Sequence, residues 1–127
     1  GLATIRSGDH RNTLDLKLRG VVPVVDLGRI YTLQGQLHPV NTRARLEAAM
    51  EANVLSKTGG ADLLDAYDLI AETRLEHQAT QIKAREKPSN YLDPSELSDF
   101  ERSHLRDAFV VVKTMQSAVG SGKGALG

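Results

Sequence analysis

The chain contains no cysteine and no tryptophan. Disulfides and thiolate metal sites are thereby excluded, and a reducing, cytoplasmic setting is compatible with the composition. Only five residues are aromatic, Tyr31, Tyr67, Tyr91, Phe100 and Phe109, so the core must be aliphatic. There is no excess of either charge: 16 Lys and Arg balance 16 Asp and Glu. That balance argues against a general nucleic-acid binder, which carries a basic excess or stripe. The longest strongly apolar run, Ala108 to Val112, is far too short to cross a bilayer. Residues 1–10 lack the basic-then-apolar pattern of a signal peptide. No membrane association and no nucleic-acid partner are expected.

What is present is 127 residues of ordinary globular composition, enough for one domain. The chain begins Gly-Leu and ends in small residues, and reads as a piece of a longer protein. Residues 1–20 show no helical period. Thr13 to Leu18 alternates apolar and polar, which predicts a short extended segment or an arm laying Leu14, Leu16 and Leu18 on the core. A first helix is expected from Val21 or Val22, with Pro23 in its first turn and a stripe of Val22, Val25, Leu27, Ile30 and Leu33. Asn41 or Thr42 suits the N-cap of a short helix over residues 42–52. Ser56 suits the cap of a third helix, weakened at its start by Gly59 and Gly60. From Ala61 to about Arg85 the stripe reads Leu64, Tyr67, Ala71, Leu75, Gln78 and Ile82, flanked by Leu63 and Ile70. Pro88 and Pro94 make residues 86–97 a loop. Ser98 and Glu101 fit a capping box opening a helix to about Val119, with Leu105, Phe109, Val112 and Met115 inward. The expected fold is all-α, an antiparallel helical bundle of four-helix type with an extended N-terminal arm. Residues 1–20 are expected to form an extended arm or linker from an upstream domain, 21–119 the bundle and 120–127 a frayed tail.

Familiar catalytic patterns fail. Gly120-Ser121-Gly122-Lys123-Gly124 resembles a phosphate loop, but Ser117 stands where its first glycine belongs and Gly124 where Ser or Thr belongs. Glu101 and His104 have the spacing of a di-iron half-site, but the matching position before His77 is Arg74. The four histidines are scattered, and none sits beside a serine in a nucleophile-elbow context. No catalytic residue and no metal ligand is assigned.

Polar residues on apolar faces are more informative. Asp26 and Arg29 lie on or beside the first helix's stripe, and Arg74, His77 and Gln78 cluster on the third helix's inner side. Buried charges need partners. One reading is internal ion pairing, Asp26 with Arg74 or Arg29 with Glu72, that fixes helix register. The other is an arginine-lined groove for an anionic ligand, whose guanidinium forks suit phosphate.

Four groups of residues then carry a family resemblance: Leu14-Asp15-Leu16-Lys17-Leu18-Arg19-Gly20 with Pro23, Val25-Asp26-Leu27 and Arg29; Asn41-Thr42 with Arg45-Leu46; Arg74-Leu75 with His77-Gln78; and Pro88 with Asn90, Asp93-Pro94, Leu97-Ser98 and Glu101-Arg102. In this order and spacing the chain resembles the nucleotidyltransferase substrate-binding domains, helical modules of bacterial signal-transduction proteins. The resemblance covers residues 11–118. It implies an upstream catalytic domain similar to PII-protein uridylyltransferases, often preceded by cyclic-nucleotide-binding and CBS domains. It implies substrate or nucleotide contact by Asp26, Arg29, Arg45, Arg74, His77, Gln78 and Asn90. Nucleoside triphosphate and Mg2+ are expected for the parent enzyme. The Asp-x-Asp of such catalytic domains is absent from this chain, so the piece alone is not expected to transfer a nucleotidyl group. Whether that group is adenylyl or uridylyl stays open. The alternative is a non-catalytic structural or regulatory bundle that mediates homodimerisation or domain docking.

Overall fold

Side-chain caps start three helices. Asn41 Oδ1 accepts from the backbone N–H of Ala44 at 2.8 Å, and Ser56 Oγ accepts from that of Gly59 at 3.0 Å. Ser98 and Glu101 cap reciprocally: Ser98 Oγ accepts from Glu101 N at 3.1 Å, and Glu101 Oε1 accepts from Ser98 N at 2.9 Å. The computed structural model describes residues 2–120. It contains α1 (Val22–Gly35), α2 (Thr42–Glu51), α3 (Lys57–Lys83) and α4 (Asp99–Gly120), with two-residue strands β1 (Leu14–Asp15) and β2 (Tyr91–Leu92). A π-helical turn, Lys17–Val21, leads into α1, and a 3-10 turn, Pro94–Glu96, precedes α4. The predicted helical bundle is therefore the fold. Helix α1 packs on α2 and α4, and α3 packs on α4 and α2.

The extended arm is not what forms. Ile5 and Thr13 close a loop (Ile5 N to Thr13 O, 2.8 Å), and His10 stacks on Tyr91 with ring centroids 3.6 Å apart. Only Leu14 and Asp15 are extended, antiparallel to Leu92 and Tyr91. The alternation then stops, because Asp15 Oδ1 accepts from the N–H groups of Lys17 and Leu18 and starts the π-helical turn. Leu14 and Leu16 enter the core, whereas Leu18 is exposed. Gly20 lies so close to α3 that a Cβ there would stand 2.6 Å from Ile70 Cγ2.

Two helices are rotated from the predicted registers. In α1 the buried side is Val24, Leu27, Gly28, Tyr31 and Thr32, and Leu33 is exposed. Apolar residues surround this helix, so several stripes satisfy a helical period. The side that includes Gly28 approaches Thr42 and Arg45 of α2. In α3 the buried side is Leu63, Leu64, Ala66, Ile70 and His77, and Leu75 and Ile82 are exposed. At its start Gly60 lies close against α2, where a Cβ would meet Met50 Sδ and Cγ. Helix α4 follows its pattern, burying Leu105, Ala108, Val112 and Met115, with Phe109 half-buried. Residues 121–127, and with them most of the expected tail and phosphate-loop-like string, lie outside the described residues.

Candidate functional site

The second half of α3 presents polar side chains to the segment between α3 and α4. Arg74 Nε donates to Asn90 Oδ1 at 2.6 Å, and Gln78 Nε2 donates to the same oxygen at 3.2 Å. Gln81 Oε1 accepts from Ser89 N at 2.8 Å, and Gln81 Nε2 donates to Ser89 Oγ at 3.0 Å. Asn90 O accepts from Leu16 N at 2.9 Å. These bonds bind residues 89–90 between α3 and the entrance to α1. A loop backbone laid on a helix must satisfy its N–H and C=O groups. The helix therefore turns Arg74, Gln78 and Gln81 toward the loop, which leaves Leu75 and Ile82 outside.

Of the residues expected to meet ligand, Arg74, Gln78 and Asn90 are thus brought together. Asp26 and Arg29 are not with them. Their side chains are 58% and 61% exposed and form an i,i+3 pair at 3.9 Å. The predicted pairs Asp26–Arg74 and Arg29–Glu72 do not form, because α1 is rotated so that Asp26 and Arg29 face outward. Arg45 Nε donates to Pro39 O at 3.1 Å, at the start of α2.

His77 faces a different space. Its side chain is 6% exposed and lines a cleft of about 710 Å3 between α3, the Pro94–Glu96 turn and the start of α4. Nδ1 lies 3.8 Å from Glu96 Oε2, beyond hydrogen-bond range, and Nε2 is buried without a hydrogen-bond partner. Leu69, Leu92 and Leu97 give the cleft apolar walls. Phe100, 74% exposed, stands beside it with His104 edge-on at 4.2 Å. The charged lining residues are Glu72, Glu76, Glu96 and Glu101, with no Lys or Arg among them. The backbone N–H of Ser98, followed by its side chain, holds the Glu101 carboxyl below its ordinary range.

The expected arginine-lined groove is therefore not this cleft, whose charge is of the opposite sign. A second cleft of about 460 Å3 lies between the π-helical turn and α4 and is basic, with Arg19, Arg106 and Lys113 over Leu18, Pro23 and Phe109. Neither cleft is lined by Asp26, Arg29, Arg45 or Arg74. Among the described residues no group of three or more His, Cys, Asp or Glu is arranged to hold a metal ion, and no helix is long and apolar enough to cross a membrane.

Glu76, Glu96 and Phe100 escaped the sequence reading. The signal available was the carboxylate pair Glu72 and Glu76, one turn apart beside His77. Glu96 and Phe100 reach the same cleft only because the chain turns at Pro94.

No curated protein and no solved structure gives a significant match. One family model does, described as "Putative nucleotidyltransferase substrate binding domain", and it matches residues 1–122. With nearly its whole length matched, the chain belongs to the family of nucleotidyltransferase substrate-binding domains.

Proposed function

We propose that this domain holds the acceptor substrate of a nucleotidyltransferase domain lying upstream in the same polypeptide, and holds it in the cleft between α3 and α4. The observation that carries the proposal is His77, buried in the cleft wall with Nε2 unpartnered. A buried polar atom without a partner is costly, and a ligand in the cleft would complete this one. The cleft also has the size of a small-molecule site, which runs to roughly 300–1,000 Å3, and combines apolar walls with a few polar groups.

In this arrangement the upstream domain supplies the metal-binding carboxylates and receives nucleoside triphosphate with Mg2+, in the manner of the PII-protein uridylyltransferases of bacterial signalling. This chain contributes orientation, which lowers the barrier by fixing the reacting groups. His77 contacts the substrate. Arg74, Gln78 and Asn90 position the loop that leads to Glu96. Asp26, Arg29 and Arg45 have no part in the cleft.

The test is amide NMR titration of this chain with MgATP, MgUTP, dicarboxylates, sugars and organic amines, followed at Thr73, His77, Leu97 and Phe100. Saturable shifts clustered there with any one class uphold the proposal. Shifts confined to the Asp26–Arg29–Arg45 side, or no saturable shift with any class, refute it.

A further inference from the structure

The α3–α4 cleft does not end at His104. Leu69 and His104 also line a smaller space of about 190 Å3 that continues along the two helices. Its charged lining residues are Asp62, Asp65 and Asp107, again with no Lys or Arg. Together the two spaces make one groove whose every formal charge is negative, in a chain whose net charge is zero. The cations are elsewhere, with Arg19, Arg106 and Lys113 grouped at the basic cleft.

We infer that this groove takes an extended organic cation, with more than one ammonium or guanidinium group on an aliphatic stem. The inference rests on the cleft being the substrate site and names the substrate's chemical class. Three independent features agree on it. A cleft walled by one sign of charge concentrates ligands of the other sign. The exposed ring of Phe100 at the wide end offers a face to a cation, while Leu69, Leu92 and Leu97 fit methylene groups. His77 Nε2 lacks a partner, and a ligand rich in N–H groups offers one. A nucleotide polyphosphate meets repulsion along the whole length of this groove.

The experiment is amide NMR titration of this chain with spermidine, with MgCl2 at matched ionic strength, with glutarate, and with a blocked lysine-rich peptide. The expected result is saturable shifts at Asp65, Glu76, His77 and Phe100 with spermidine or the peptide, which MgCl2 does not reproduce. The tighter of the two assigns the cation to a free polyamine or to a protein side chain. Glu76→Gln with Glu96→Gln removes two carboxylates and weakens binding about tenfold, while Glu47→Gln on α2 leaves it unchanged. A folded double variant that binds as tightly as the native chain overturns the inference, as does Mg2+ reproducing the shifts. Glutarate binding at these amides in place of spermidine overturns the cationic class but leaves the cleft as the substrate site. No saturable shift with any ligand overturns both.

Discussion

Arg74 and Asn90 are joined side chain to side chain, with Arg74 Nε donating to Asn90 Oδ1 at 2.6 Å. The pair spans the gap between the middle of the longest helix and the loop that carries β2. Asn90 also accepts from Leu16 through its backbone carbonyl, so one residue connects α3, the loop and the entrance to α1. An arginine that looked suited to phosphate in the sequence thus acts as a strut between α3 and the loop.

Asn90→Ala removes the acceptor shared by Arg74 and Gln78 and leaves a half-buried guanidinium without it. Hydrogen bonds to charged groups contribute about 1.5–3 kcal/mol, and a loss of about that size is expected. Urea denaturation checks it: the midpoint falls at constant m. By contrast, Arg29→Ala disrupts only the exposed Asp26 pair and changes stability by less than about 0.5 kcal/mol. Equal losses in the two variants would contradict the strut.

Gly20→Ala tests the close approach of the π-helical turn to α3. Alanine favours helix over glycine by about 1 kcal/mol. Here the added Cβ meets Ile70 Cγ2 at 2.6 Å and Phe109 Cε1 at 3.2 Å, and Ile70 is fully buried and stiff at χ1. Overpacking costs about 1–3 kcal/mol, so the variant melts lower despite its better propensity. A rise in Tm would show that α3 yields.

Tyr31 is fully buried, and its hydroxyl has no hydrogen-bond partner. Burial pushes its pKa from 10.0 up to about 12. Below pH 10 folded and unfolded chains both keep the proton, so this group adds no pH dependence. Between pH 10 and 12 the unfolded chain loses it first, and stability falls as pH rises. Tyr31→Phe removes an unsatisfied buried group and gains about 1 kcal/mol at neutral pH. It also flattens the alkaline limb of the stability curve. A variant with an unchanged alkaline limb would exclude Tyr31 as its cause.

The helix caps give the opposite limb. Hydrogen bonds from the backbone and side chain of Ser98 lower the pKa of Glu101, and those of Ser95 lower that of Asp93. A carboxyl whose folded pKa is depressed stabilises the fold above its unfolded value and ceases to do so as pH falls through the folded one. Stability therefore declines on acidification below about pH 4.5, the ordinary value for Glu101. Ser98→Ala removes the side-chain bond and keeps the larger backbone one, so its acid limb is somewhat shallower than the native one. Chemical denaturation at stepped pH reads the difference.

How much was legible in the sequence depends on which partner each residue needed. Asn41, Ser56 and Ser98 bond within three residues, so the caps and the helix starts could be read locally. Helix α4 has one apolar side and one polar side, and its register followed. Helix α1 is apolar nearly all round, and its orientation is set by what Gly28 meets on α2. In α3, Leu75 and Ile82 prolong a regular apolar stripe that no element covers. Ser89 and Asn90 decide which side of that helix turns inward, and nothing near Leu75 in the sequence announces them. At the site, Arg74, His77 and Gln78 read as one polar cluster from helical spacing, and Asn90 entered only through the family resemblance; the structure joins Arg74 and Gln78 to Asn90 and puts His77 in the cleft wall instead. The acidic character of the cleft was not foreseen, because Glu96 joins Glu72 and Glu76 only through the turn at Pro94.

Helix α4 separates two electrical environments. Glu101, His104 and Asp107 border the acidic groove on one flank, and Arg106 and Lys113 border the basic cleft on the other. In a molecule with no net charge, negative and positive side chains are thus set apart across that helix. Such a body experiences little net pull from a charged neighbour but a strong torque. It turns as it approaches, so that one flank faces an anionic surface and the other a cationic one. A body with its charge separated in this way is aimed by a charged neighbour without being strongly attracted.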